Sequence, residues 1–228
     1  MEIKFLGHKI SAHGIEADSK KVDTILEWPT PKMATQTRSF IGLVHYIAAF
    51  LPGLSEHTSA LGDLITKEAD HYFLKWTDTH QQAFNAIKRL VISRECLTTI
   101  DLALMPEHKI YVMMDASDLG SGAVLSFGKD WETARLVAFE SMMFKGAQLN
   151  YPVHEKEMLA IIRALTKWQV DLLGVPFLIY TDHKTLENFN TQRYLSRCQA
   201  RWMEFMSQYD AKIVYIKGDD NTVADTLS

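Results

Sequence analysis

Four carboxylates stand at places in this chain where a bare negative charge is costly: Asp115, Glu157, Asp182 and Asp225. Asp115 closes the apolar run Ile110-Tyr111-Val112-Met113-Met114, and Asp182 closes Phe177-Leu178-Ile179-Tyr180-Thr181. Glu157 lies within Glu155-Lys156-Glu157-Met158-Leu159-Ala160-Ile161-Ile162, a helical pattern, and Asp225 follows a turn in Asn221-Thr222-Val223-Ala224-Asp225. At a separation of about 4 Å and an effective dielectric near 20, two such charges repel by roughly 4 kcal/mol. Four together cannot all stay ionised unaided. Two divalent metals would neutralise them, and a metal pair held by carboxylates is the equipment of phosphodiester hydrolysis.

The elements that must position these residues change character along the chain. The first ten residues alternate weakly and end at His13-Gly14, which reads as a hairpin or edge strand. Three helices follow. Val22, Ile25 and Leu26 mark a short one that stops at Trp28-Pro29. Phe40, Leu43, Val44, Ile47 and Leu51 keep helical spacing up to Pro52. The pattern Asp78-x-x-Gln81 opens a third, with Phe84, Ile87 and Val91 as its stripe and a loop over 66–76 before it. After residue 105 come three strand-like runs (109–114, 122–127 and 135–139), a helix over about 153–173 and a strand over 177–181. A short helix over 184–189, a longer one over 193–209, a strand over 212–216 and a helix from about Asn221 complete the order. This βββαβααβα order predicts an α/β fold, a mixed five-stranded sheet flanked by helices and antiparallel in its first three strands. Asp115 and Asp182 then end strands that could be neighbours. The expected division is a mainly helical region over 1–104 and a sheet domain over 105–228.

Composition narrows the class. The 228 residues are 47% hydrophobic, ample for packed cores. The two cysteines, Cys96 and Cys198, lie far apart and point to an intracellular protein without a disulfide framework. No apolar stretch is long enough to span a bilayer, so no membrane partner is expected. The formal charge is −4, divided as −2 in residues 1–107 and −2 in 108–228. Two bound Mg²⁺ ions would turn the second half positive, so bulk charge neither favours nor excludes a nucleic-acid substrate. The histidines and cysteines lack zinc-ligand spacing, and Gly120-Ser121-Gly122 is too short for a phosphate-cradling loop.

The motifs, taken in order, resemble the C-terminal part of the reverse transcriptase of gypsy-class long-terminal-repeat retrotransposons. Phe5-Leu6-Gly7-His8 looks like the last palm hairpin, Arg38-Ser39-Phe40-Ile41-Gly42-Leu43 like the thumb helix, and Trp76-Thr77 with Ala83-Phe84 like the connection. Asp115-Ala116-Ser117 followed by Gly120 and Gly122-Ala123-Val124-Leu125 is similar to the first strand pair of the family's RNase H domain. The stretch 155–161, Thr181-Asp182-His183-Lys184-Thr185-Leu186, Gln199-Ala200-Arg201-Trp202 and Asn221-x-x-Ala224-Asp225-x-Leu227-Ser228 match its remaining signatures. Two features depart from the pattern: His45-Tyr46-Ile47-Ala48-Ala49-Phe50 replaces an arginine-bearing run, and 209–225 contains no histidine. Nothing in the chain resembles the polymerase active site.

The resemblance implies a ribonuclease H that cuts the RNA strand of an RNA–DNA hybrid with two Mg²⁺ ions, or with Mn²⁺, as part of a polyprotein with polymerase and integrase. Asp115, Glu157, Asp182 and Asp225 are then both catalytic residues and metal ligands. Glu155 and Glu157 lie about 200° apart on a helix, and periodicity does not choose between them; the resemblance selects Glu157. A cytoplasmic particle or the nucleus is the expected location. Arg193, Arg197 and Arg201 recur at four-residue spacing beside Trp202, either a solvated helix face or a stripe that follows hybrid phosphates. A non-catalytic relic or co-opted binding module with the same fold is the rival reading.

Overall fold

The computed structural model describes residues 3–5, 8–11, 14–73, 75–94, 96–105, 107–186, 195–218 and 221. The chain divides into two compact units, Met1–Leu97 and Thr98–Ser228.

In the first unit the weak alternation becomes three short antiparallel strands, β1 (Ile3–Phe5), β2 (His8–Ser11) and β3 (Gly14–Ala17). Gly14 sits at φ 138°, and a Cβ there would strike the Leu97 carbonyl oxygen, so only glycine suits the turn. Four helices follow: α1 (Ser19–Glu27), α2 (Ala34–Tyr46), α3 (Leu54–Ala60) and α4 (Asp78–Ile92). The expected apolar stripes form the core, with Ile25, Phe40, Val44, Ile87 and Val91 fully buried. Lys88 Nζ closes the end of α1 by donating to the carbonyls of Leu26 and Trp28 at 2.8 and 2.7 Å.

Two local expectations needed correction. α3 has no apolar stripe, because Ser55-Glu56-His57-Thr58-Ser59 lies between the buried Leu54 and Leu61. Its burial comes from packing on α4, which periodicity does not report. The cap of α4 is Thr77 rather than Asp78. Thr77 Oγ1 accepts from the His80 N–H, and the His80 ring accepts from the Thr77 N–H in return.

The second unit is an α/β sandwich. Its strands are β4 (Lys109–Ala116), β5 (Gly120–Gly128), β6 (Arg135–Met143), β7 (Phe177–Thr181) and β8 (Ala211–Tyr215), in the order β6-β5-β4-β7-β8. The β4–β5 and β5–β6 pairs are antiparallel, and β4–β7 and β7–β8 are parallel. Its helices are α5 (Val153–Lys167), α6 (Gln169–Leu172) and α7 (Arg197–Met206). Strand alternation sends Ile110, Val112 and Met114 to one face, where they pack with Met158, Ile161 and Leu165 of α5 and Trp202 and Met206 of α7. Tyr111, Met113 and Tyr180 take the other face. The single helix expected over 153–173 breaks at the buried Trp168, and Gly174 takes the left-handed conformation (φ 78°) after it. Of the short helix expected over 184–189 the described residues show a 3-10 turn at 184–186. The start of the 193–209 helix and the helix after Asn221 lie outside the described residues.

The cap correction is testable. Thr77→Ala should lower the stability of the first unit by about 1 kcal/mol, the usual cost of losing an N-cap hydroxyl. Asp78→Ala should cost clearly less. Urea unfolding of the two variants beside the parent protein separates the assignments.

Candidate active site

The strand register places two of the four carboxylates. β4 and β7 advance together from Ile110↔Phe177 to Met113↔Tyr180. Asp182 directly follows β7, so the same register carried two residues further brings it level with Asp115. Alternation gives both the face of Tyr111, Met113 and Tyr180. Glu157 arrives from the first half of α5, and its carboxylate accepts the backbone N–H of Ala116, the last residue of β4. One ligand oxygen from each of Asp115, Glu157 and Asp182 lies within 4.8 Å of the others. Of the two glutamates that periodicity left open, the fold brings Glu157 to the aspartates. Glu155 turns toward α7, where its Oε1 accepts from Gln199 Nε2 at 3.5 Å.

Burial makes this cluster unstable as three anions. Glu157 is only 3% exposed and Asp115 8%, with Asp182 half-buried. Loss of solvation, then the charges of Asp115 and Asp182, push the Glu157 carboxyl up to about 8. The Ala116 N–H opposes the rise but does not cancel it. Glu157 Oε2 is buried with no hydrogen-bond partner. Three carboxylates whose oxygens converge are the donor set of a hard divalent cation, which takes one or a few carboxylates and keeps the rest of its shell as water. The residues present therefore fit a metal ion.

The segment after β8 closes over this edge. Ile216 N–H donates to Thr181 O at 2.9 Å. Gly218 stands so close to Asp182 that an added Cβ would lie 3.4 Å from Oδ2. Asn221, 1% exposed, donates from Nδ2 to the Met114 carbonyl at 3.1 Å, beside Asp115. Asp225 lies four residues further on, and it and Arg193 fall outside the described residues. Arg197 and Arg201 are both exposed on α7, while Trp202 of the same helix turns into the core. Sequence reasoning read Asn221 only as a helix start and passed over Lys156, which is 5% exposed beside Glu157. A lysine flanked by two glutamates reads as a solvated face, and only its burial marks it.

Fold and carboxylate cluster together define a class. Residues 105–209 match the RNase H-like domain found in reverse transcriptase, and the second unit has that fold. The particular relatives are mobile-element proteins. The chain is 36% identical over 231 residues to the Transposon Tf2-3 and Tf2-4 polyproteins of Schizosaccharomyces pombe, matching along its whole length. It spans 17% of each of those polyproteins. Among solved structures it superimposes on the foamy viral protease-reverse transcriptase in complex with RNA/DNA hybrid, with a TM-score of 0.79 and 23% identity over 95% of this chain and 29% of that one. The same viral protein in complex with dsDNA gives a TM-score of 0.78 at 23% identity, covering 95% of this chain and 45% of that one. These likenesses carry the fold. Among the described residues no helix is long and apolar enough to cross a membrane.

The raised Glu157 carboxyl sets a pH dependence. In the unfolded chain the group ionises near its ordinary value of 4.5, and in the metal-free fold near 8. Between those values the native state holds a proton that the unfolded state has lost, so stability falls as pH rises. The metal-free protein should melt at progressively lower temperature from pH 5 to pH 8. Glu157→Gln should flatten that trend. Calorimetric melting in chelator across this range is the check, and an equally steep slope in the variant would remove Glu157 as its origin.

Proposed function

We propose that this chain is the ribonuclease H part of a gypsy-class reverse transcriptase polyprotein, hydrolysing the RNA strand of RNA–DNA hybrids endonucleolytically. The observation that carries the reading is the convergence of Asp115, Glu157 and Asp182 at the edge of an RNase H-like sheet, with the Glu157 carboxyl raised to about 8 by burial first and by the two aspartates second. A carboxyl so placed releases its proton once a cation replaces it.

Two Mg²⁺ ions, or Mn²⁺, bound there supply charge neutralisation at the scissile phosphate and a water of lowered pKa. The protein supplies geometry. Asp115, Glu157 and Asp182 would hold the ions, and Asp225 would be their fourth carboxylate. Burial excludes competing water from Glu157 and strengthens every charge interaction within the cluster. Arg197 and Arg201, exposed on α7, would with Arg193 follow the phosphates of the hybrid, while the 2′-hydroxyls of the RNA strand would distinguish it from DNA, read by shape more than by base. Residues 1–104 are the palm end, thumb and connection of the same polyprotein, whose polymerase and integrase are its partners in a cytoplasmic particle or the nucleus.

Asp182→Asn should reduce Mg²⁺-dependent cleavage of a labelled hybrid at least a hundredfold, since it removes one ligand without changing side-chain size. The metal-free variant should melt at the same temperature or higher, because one repelling charge is gone. Cleavage near the parent rate would exclude Asp182 from the site. Binding of hybrid by the parent protein with no cleavage in Mg²⁺ or Mn²⁺ would favour the relic.

Replacing Arg193, Arg197 and Arg201 together with Ala tests the stripe. Hybrid binding should weaken equally for all sequences. The slope of log affinity against log salt should flatten by about three units at most, roughly one for each lost phosphate contact. An unchanged slope returns the stripe to a solvated helix face.

A further inference from the structure

The lysine next to Glu157 is buried on the helix that carries the ligand, and its ammonium reaches the turn that follows Asp115. Lys156 Nζ donates to Asp118 Oδ1 at 2.9 Å and to the Asp118 carbonyl at 3.2 Å. It also lies 5.8 Å from the centre of the Phe144 ring. The ion pair itself adds little stability, since the Asp118 side chain is 91% exposed and the attraction is screened by water. A methionine of similar volume would fill the lysine's buried space without an ammonium to desolvate. Stability alone therefore does not account for a lysine here.

Geometry does. The turn it grips is already stiff: Ser117 Oγ accepts from the N–H groups of Leu119 and Gly120, both at 3.1 Å, and the Ser117 N–H donates to Gly120 O at 3.0 Å. Holding such a turn aligns α5 with the end of β4 rather than quieting a loop. Seven residues along α5, Arg163 packs on the same Phe144 ring at 4.9 Å and donates to Ser121 Oγ and the Met142 carbonyl at 3.0 and 3.2 Å. Arg163 thus fastens the second half of the helix to β5 and β6, and Lys156 fastens its first half to the β4–β5 turn. Without Lys156 the core packing of α5 and its Arg163 contacts remain, but the tie between the first half of the helix and the β4–β5 turn is lost, and Glu157 stands next to that tie.

We propose that Lys156 is a positioning residue that sets the separation of Asp115 and Glu157 by clamping α5 to the turn after β4. The proposal rests on the metal-centre reading above, and its test distinguishes the two. Lys156→Met is compared with Lys156→Arg and the parent protein by two measurements: Mn²⁺ binding by calorimetry without nucleic acid, and amide hydrogen exchange of Ala116 in the metal-free protein. Lys156→Met should weaken Mn²⁺ binding about tenfold, within the range seen when supports of metal ligands are removed. Exchange at Ala116 should quicken while Ile110 and Val112 stay protected, and Lys156→Arg should restore most of both. The sign is diagnostic, because removing a nearby positive charge by itself tightens cation binding. Tighter or unchanged Mn²⁺ binding in Lys156→Met overturns the proposal, as does unchanged exchange at Ala116. If the parent protein binds no Mn²⁺, the metal-centre reading fails, and the exchange measurement alone then decides the clamp.

Discussion

Mutual repulsion among carboxylates that the fold removes from water is the constraint on which the second unit turns. Asp115 and Asp182 are brought together by the register of two parallel strands, a placement fixed by the hydrophobic alternation of β4 and β7 rather than by any attraction between the acids. Glu157 is then carried into their field by a helix whose other residues are bound to the core. The cost falls on Glu157, whose carboxyl is held well above the ordinary range. A cation converts this cost into an affinity. A carboxylate cluster that is costly when empty is pre-organised for positive charge.

The surrounding polar contacts serve that arrangement. Ala116 offers its N–H to Glu157, Asn221 donates to the Met114 carbonyl, and Gly218 lies close to Asp182. None of these groups is charged, so none competes with a metal for the carboxylates. The cations nearby, Lys156 and Arg163, are engaged with the β4–β5 turn and with β5 and β6. These positive side chains thus brace the scaffold.

The first unit joins a small sheet and four helices through both apolar packing and polar ties such as Arg38 to the Ile65 carbonyl. Its core is the set of apolar stripes legible in α1, α2 and α4, stitched by Lys88 across the end of α1. Trp28, Phe40, Phe84 and Trp76 form a run of ring contacts between 4.6 and 6.0 Å that fills the space between those helices. Aromatic pairs at such distances add to simple area burial.

The sequence by itself determined the parts of this protein that depend on local pattern. The five strands of the second sheet, their mixed direction and the strand-end positions of Asp115 and Asp182 all follow from alternation and from the order of elements, which act over a few residues. Glu157 against Glu155 was different: the two differ by half a helical turn, the apolar arc lies midway between them, and only docking on β4 and α7 sends one to the site and the other to Gln199. The α3 helix stayed hidden because its own residues are polar and its burial comes from α4. Asn221 and Lys156 stayed hidden because their partners, Met114 and Asp118, lie 107 and 38 residues away. Contacts over such distances leave no periodicity in the chain, so tertiary structure alone decided which of its polar residues hold the carboxylates in place.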